Sequence, residues 1–427
     1  MAATGQEAGQ GSAWAPVAGG ALADRIEAVV IELADALAAR AAQAGDTAAQ
    51  AEQHAEHALL RAYLACASGD EAHADVALDS LDRAAEALGA AAIRPTLYGG
   101  FTGIAWMIEH VQEILGVDGD DGNAAVDAAL IRMVDAGPWP FGHDIVAGLA
   151  GIGVYALARA QRPGGEALLG RVVTRLDAMS ENDASGAWFH TPPERLSGVV
   201  LAALPHGCRD LGVAHGAAGV AAMLARAHAT GKVGDRAGAL ARDSVRWLLA
   251  QRLAPDEDSC FPARRVPGQP AAPTRSAWCY GDPGVAVAVL GAAQRLGEPA
   301  WVEVALAVAR KAAVRPHAAT RVVDAGICHG TAGLAHLFQR LFRATGEALF
   351  LDTAHAWLER TLALREPGAG IAGFRTWGRA PGAGDGAELS WYEDSGLLSG
   401  ATGIALALLA AVSPVEPAWD RLFVADL

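Results

Sequence analysis

Cys328 and His329 are adjacent in the stretch GICHGTAGLAH (326–336), where an apolar run begins. A thiolate and an imidazole are soft or borderline metal ligands, and both suit Zn2+. Cys279 stands in a second stretch, WCYGDPG (278–284). Together the three make a Cys2His set, which in catalytic zinc sites leaves the fourth position open. Locally the pattern is loose, because adjacent Cys-His is not CxxC and Cys279 lies far away along the chain. The competing reading is two buried cysteines and a histidine capping a helix. Three further residues can do chemistry near such a centre: His215 in VAHGAAG, Asp144 in HDIVAGLAG and Arg275 in RSAWCYG. A neutral histidine titrates near neutrality and suits general acid or base work. Asp144 would orient it, act alone, or serve as a helix N-cap. Arg275 would hold an anionic group, pair with Asp144, or lie at the surface.

These residues share a position relative to a recurring block. Gly-x-x-Gly followed by small and aliphatic residues occurs at Gly100, Gly148, Gly216, Gly281, Gly330 and Gly400. The intervals are too irregular for a solenoid of short repeats and fit six helical hairpins with loops of variable length. After Gly333, apolar residues fall at Leu334, Leu337, Phe338, Leu341 and Phe342, the stripe of one helical face, and Gly346 stops it. More amphipathic segments alternate with the blocks, at 235–253, 301–315 and 348–366. The architecture expected is all-α: an (α/α)6 toroid of six inner helices, each started by Gly-x-x-Gly, and six outer ones. An N-terminal helical extension, near 21–45 and 54–67, precedes the ring or extends it. Residues 1–20 read as a flexible tail and 21–427 as a single domain. Glycine at the helix starts lets crowded backbones converge on one rim. Free N–H groups there would also favour an anion such as a thiolate or enolate. If the blocks are equivalent, Cys279, Cys328, His329, His215 and Asp144 face one cavity. The connectors 181–212, 254–278 and 367–396 carry Trp188, Phe189, Trp377 and Trp391, and would wall a cleft or form ordinary surface loops.

The composition sets limits. The chain has 427 residues, 52% of them hydrophobic, and a formal net charge of −15. That charge argues against binding nucleic acid or an anionic membrane surface. Five cysteines without framework spacing do not make a disulfide scaffold. No signal peptide and no run long enough to span a bilayer stand out, so the expected location is the cytoplasm.

With WCYGDPG, ICHGTAG, VAHGAAG, DIVAGLAG and GLLSGATGIAL in this order, the chain from about residue 90 onward resembles the lanthionine synthetase C-like (LanC) family. The resemblance implies Zn2+ held by Cys279, Cys328 and His329, with His215 and Asp144 as acid–base residues and Arg275 supporting. It implies a stand-alone class I lanthipeptide cyclase, since only about 90 residues precede the ring. Its substrate would be a dehydrated precursor peptide, leader plus core, and its partners a lanthipeptide dehydratase and a transporter complex. A peptide thiolate would add to dehydroalanine or dehydrobutyrine and give a lanthionine or methyllanthionine ring. The alternative within the family is a non-catalytic zinc protein that binds glutathione or a peptide partner. Two readings outside it fit less well. A prenyltransferase subunit sets an Asp among its zinc ligands, and a glycosidase needs two opposed carboxylates, for which the neighbours Glu393 and Asp394 are a poor pair.

Overall fold

The computed structural model describes residues 14–43, 48–89, 93–117, 121–196, 198–384 and 387–427. Sixteen α-helices follow one another: α1 Gly20–Gln43, α2 Ala48–Ser68, α3 Glu71–Gly89, α4 Phe101–Leu115, α5 Ala124–Asp135, α6 Leu149–Ala158, α7 Pro163–Met179, α8 Gly198–Ala203, α9 Ala217–Ala229, α10 Asp235–Ala250, α11 Asp282–Leu296, α12 Pro299–Ala313, α13 His317–Thr320, α14 Thr331–Thr345, α15 Ala348–Ala363 and α16 Ala401–Val412. Three short antiparallel ladders sit in the connectors: β1 Glu181–Asp183 with β2 Gly186–Trp188, β3 Arg209–Asp210 with β4 Arg264–Arg265, and β5 Thr376–Gly378 with β6 Ser390–Tyr392.

The all-α toroid expected from the repeats is what forms. The helices α4, α6, α9, α11, α14 and α16, each begun by a glycine block, pack side by side as the inner layer. Of these, α11 and α16 are apolar around nearly their whole circumference because they are covered on every side, and they expose almost nothing. Outer helices lie against them, α7 on α6, α10 on α9, α12 on α11 and α15 on α14. The N-terminal extension is part of the ring itself. Helix α2 stands between α16 and α4 as a further inner helix, α3 covers it, and α1 covers α16. Among the described residues the inner layer thus has a seventh member, which carries no glycine block.

The rim explains the glycines. A Cβ on the second glycine of each block would lie 1.9–2.2 Å from the carbonyl oxygen of the residue six positions earlier: Leu97, Ile145, Val213, Trp278, Ile327 or Leu397. Only glycine lets each loop fold back that tightly on its helix. The first-turn N–H groups are taken up by loop carbonyls, Thr331 to Asp324 (3.0 Å), Ala401 to Asp394 (2.9 Å) and Leu149 to Gly142 (3.0 Å). At α6, α14 and α16 the first-turn donors are used within the loops, which favours a packing role for these glycines over anion binding.

Neighbouring loops are also bonded to one another. Tyr98 N–H donates to Val146, Val146 to Ala214, Ala214 to Cys279, Cys279 to Cys328 and Cys328 to Leu398, at 2.8–3.3 Å. Each of these residues stands two places before a first glycine. At α2 the belt is completed by side chains: Glu56 accepts from Leu397 N–H and Glu52 from Gly99 N–H, both at 2.8 Å.

The axis of the ring is filled by the segment after α16. Tyr98 Oη donates to Leu422 O (3.1 Å) and Trp278 Nε1 to Phe423 O (2.8 Å). Tyr63 Oη accepts from Trp419 N–H (2.9 Å). Buried Asp420 accepts from Arg340 Nε at 2.6 Å and contacts His336 Nε2 at 2.8 Å. Of the stretch expected to be a tail, residues 1–13 lie outside the described residues. Residues 14–18 are a packed strap: Trp14 is buried and donates to Ala410 O (3.1 Å), and Val17 and Ala18 donate to Ala411 O.

Candidate metal centre and the adjoining cavity

Cys279 and Cys328 occupy equivalent places on adjacent loops, and the amide of one bonds the carbonyl of the other at 3.2 Å. This belt contact sets their side chains together despite the distance between them in sequence. With His329, their ligand atoms all lie within 4.8 Å of one another. His329 Nε2 is 3.7 Å from Oδ2 of Asp324, which is 2% exposed, and His329 Nδ1 is buried with no hydrogen-bond partner among the described residues. A carboxylate behind one ring nitrogen, with the other left free, is the arrangement of a metal-ligating histidine. Asp324 is in turn held by Trp377 N–H (3.0 Å) from β5. Two thiols and one imidazole with a free nitrogen fit a metal ion of zinc's preferences.

The thiols are primed unequally. Cys279 is held well below the ordinary thiol range, first by hydrogen bonding from Cys328, and then by His329 and Arg275, against the effect of burial. Cys328 is pushed up by the same partnership and by burial. Arg275 Nη2 lies 3.8 Å from Cys279 Sγ. Of the partners open to Arg275, the structure places it beside the Cys279 sulfur, not beside Asp144. The remaining cysteines, Cys66, Cys208 and Cys260, are free thiols outside this cluster.

His215 and Asp144 form a pair in the adjoining cavity. His215 Nδ1 is 3.3 Å from Asp144 Oδ2, while Asp144 Oδ1 accepts from Ala147 N–H at 2.7 Å. One carboxylate oxygen thus caps a turn and the other addresses the imidazole; the N-cap of α6 itself is Gly148. Burial would lower the His215 pKa, but the bond and charge of Asp144 outweigh it and the net shift is upward. Asp144 moves the opposite way: burial raises its pKa, and His215 and Ala147 bring it below the usual carboxylate range. The imidazole stacks on Tyr280, with ring centroids 5.8 Å apart.

The cavity holds about 530 Å³ and is lined by Phe141, Asp144, His190, Arg195, His215 and Arg264 among others. The connector 181–212 supplies one wall, as expected. Its aromatics do not: Trp188 and Phe189 are buried, Trp188 beneath Arg209 and Phe189 stacked on His143. Trp391 is 41% exposed and lies against Trp377 on the β5–β6 hairpin. The sequence reading missed Asp324 and Arg264. Asp324 resembles any acid ahead of a helix, and Arg264 sits in a connector with no periodicity.

The sequence model of the family described as "Lanthionine synthetase C-like protein" matches residues 57–424. The nisin biosynthesis protein NisC of Lactococcus lactis subsp. lactis is 25% identical over 272 residues, which cover 58% of this chain and 62% of that protein. The aligned part thus spans under two thirds of that relative. Among solved structures, a nisin cyclase superposes with a TM-score of 0.73 at 18% identity, covering 94% of this chain and 97% of that one. At that identity the likeness is one of fold. No helix among the described residues is long and apolar enough to cross a membrane.

Proposed function

Because the chain belongs to the lanthionine synthetase C-like family, we propose that it is a zinc-dependent peptide cyclase that forms thioether rings from cysteines and dehydrated Ser/Thr residues. The observation that carries this reading is the Cys279–Cys328–His329 triad, opening beside the His215–Asp144 pair. Cys279, Cys328 and His329 would hold the zinc ion, with Asp324 behind His329. A zinc ion in a three-residue site supplies an open Lewis-acid position at which a peptide thiol is held as thiolate.

The rest of the chemistry falls to the chain's own groups. Arg275 places a positive charge beside the sulfur cluster and offsets the accumulation of thiolate. The peptide sulfur forms its C–S bond at the β-carbon of a dehydroalanine or dehydrobutyrine, and the displaced π electrons move toward the amide carbonyl. His215, whose protonated form Asp144 favours, delivers a proton to the α-carbon, and the proton lost by the thiol balances it. Tyr280 fixes the imidazole plane by stacking. The dehydrated residues must come from an earlier dehydration of Ser or Thr, so a dehydratase acts before this protein. Residues 21–427 serve as one catalytic unit in this reading.

The test is incubation of the metal-loaded protein with a dehydrated, cysteine-containing peptide, followed by thiol alkylation and mass spectrometry. Thiols should become resistant to alkylation without a change in peptide mass. Cys279→Ala and Cys328→Ala should bind much less than one zinc per chain and lose this activity. Persistent free thiols with fully loaded protein would refute the enzyme and leave a zinc protein that binds thiol ligands such as glutathione.

A further inference from the structure

A second cavity, of about 560 Å³, adjoins the same machinery. It shares Arg264 with the cavity of His215 and reaches Arg275, which touches Cys279. Its charged lining consists of Arg264, Arg275 and Arg321, and no carboxylate lines it among the described residues. The other walls are mainly apolar, from the proline-rich loop that includes Pro262, Pro270 and Pro273. Arg264 is tied back to Asp210 at 3.2 Å, whereas Arg321 has no ion pair among the described residues. Arg321 takes a left-handed backbone (φ +56°) as the C-cap of α13, which ends that helix at the edge of the recess.

A purely basic recess runs against the character of a chain with net charge −15. Such a local reversal concentrates anions that the rest of the surface repels. The volume lies in the range of about 300–1,000 Å³ typical of organic ligands, and apolar walls between the guanidinium groups do not suit a bare inorganic ion. A peptide bearing spaced carboxylates satisfies both features, because arginine binds carboxylates through paired N–H groups while aliphatic stems cover proline and alanine.

We propose that this recess binds an acidic segment of the peptide substrate and so presents the neighbouring thiol to the metal centre. The inference rests on the reading of the substrate as a peptide, and its test involves no ring chemistry. The probe is a fluorescent peptide of alternating Glu and Ala, without cysteine or dehydrated residues. Its counterpart carries Gln in place of Glu. Anisotropy is measured with the full zinc-loaded chain. The Glu peptide should bind at least about tenfold more tightly than the Gln peptide, and its affinity should fall as salt rises. Arg321→Gln should weaken it by about three- to tenfold, within the range for a partly desolvated charge pair, and Arg321→Lys should restore most of the loss.

Equal affinity for the two peptides, or Arg321→Gln binding like the unchanged protein, overturns the proposal. Should Arg321→Gln fail to fold, as judged by its melting curve and zinc content, the Glu-against-Gln comparison on the unchanged chain decides alone. Intact binding of the acidic probe with no ring formation would instead overturn the cyclase reading and leave the recess standing.

Discussion

His215 and Asp144 depend on each other for their ionisation. The imidazole pKa is raised, so while Asp144 stays ionised the stability contributed by His215 is complete below the unfolded value near 6.5 and fades as pH rises through the folded value. Ring formation that draws a proton from His215 should fail over the same interval. Asp144→Asn removes the charge and keeps the shape. It should move the alkaline limb of the pH–rate profile to lower pH and lower the His215 pKa seen by NMR; an unmoved limb would exclude His215 as the proton donor. Most of this site was legible in the sequence. Cysteine and histidine are few and chemically distinctive, and they stand just ahead of a repeated block. Asp324 and Arg264 were not legible. An acid beside a helix start or an arginine in a connector has many ordinary roles, and only the folded loops show what each one faces. For the same reason the sequence left two partners open for Arg275, and contact geometry chose the thiol.

At the scale of elements, the glycine blocks are geometric devices. Gly333→Ala would set a methyl group 1.9 Å from Ile327 O, immediately before Cys328 and His329. The loop must shift, so zinc content should fall along with stability. The control is Gly103→Ala, where Leu97 O lies at the same 1.9 Å but the loop carries no ligand: stability should fall and zinc remain. Equal zinc loss in both variants would show that the effect is not local to the ligand loop. The seam at α2 behaves differently. Burial and the charge of Glu52 raise the Glu56 pKa well above its ordinary value, so folding favours the protonated form and stability falls as pH rises through that range. Glu56→Gln keeps the acceptor for Leu397 N–H and removes the titration. Its stability relative to the unchanged protein should therefore improve with increasing pH, whereas Glu56→Leu should cost about 1–3 kcal/mol by orphaning that amide. A pH-independent difference for Glu56→Gln would argue against a buried titrating seam. The six block-initiated helices could be read from the sequence because the recurring glycine block announces them. Helix α2 could not be placed, because two glutamates substitute there for the device that marks the others.

At the scale of the molecule, the segment after α16 is the floor beneath the candidate metal centre, since Phe423 O receives the indole N–H of Trp278, next to Cys279. Asp420 anchors that floor. Burial alone would raise its pKa, but Arg340 and His336 hold it down to about 2. Asp420→Ala would leave Arg340 buried with Glu416 as its remaining carboxylate among the described residues and should cost about 3–5 kcal/mol in a denaturant titration. A loss below about 1 kcal/mol would mean the floor is held mainly by its aromatic residues. No sequence pattern foretells this arrangement, because the segment is short, aperiodic and defined by contacts with helices far away along the chain.

The hydrogen-bonded belt has a consequence for how such a protein can change over generations. Tyr98, Val146, Ala214, Cys279, Cys328 and Leu398 occupy one column of interchangeable sockets, each fixed by its neighbours' backbones. The identity of the side chain at a socket does not set the path of the main chain. New chemistry on this scaffold is therefore within reach of point substitution at a single column, without a change in the path of the main chain.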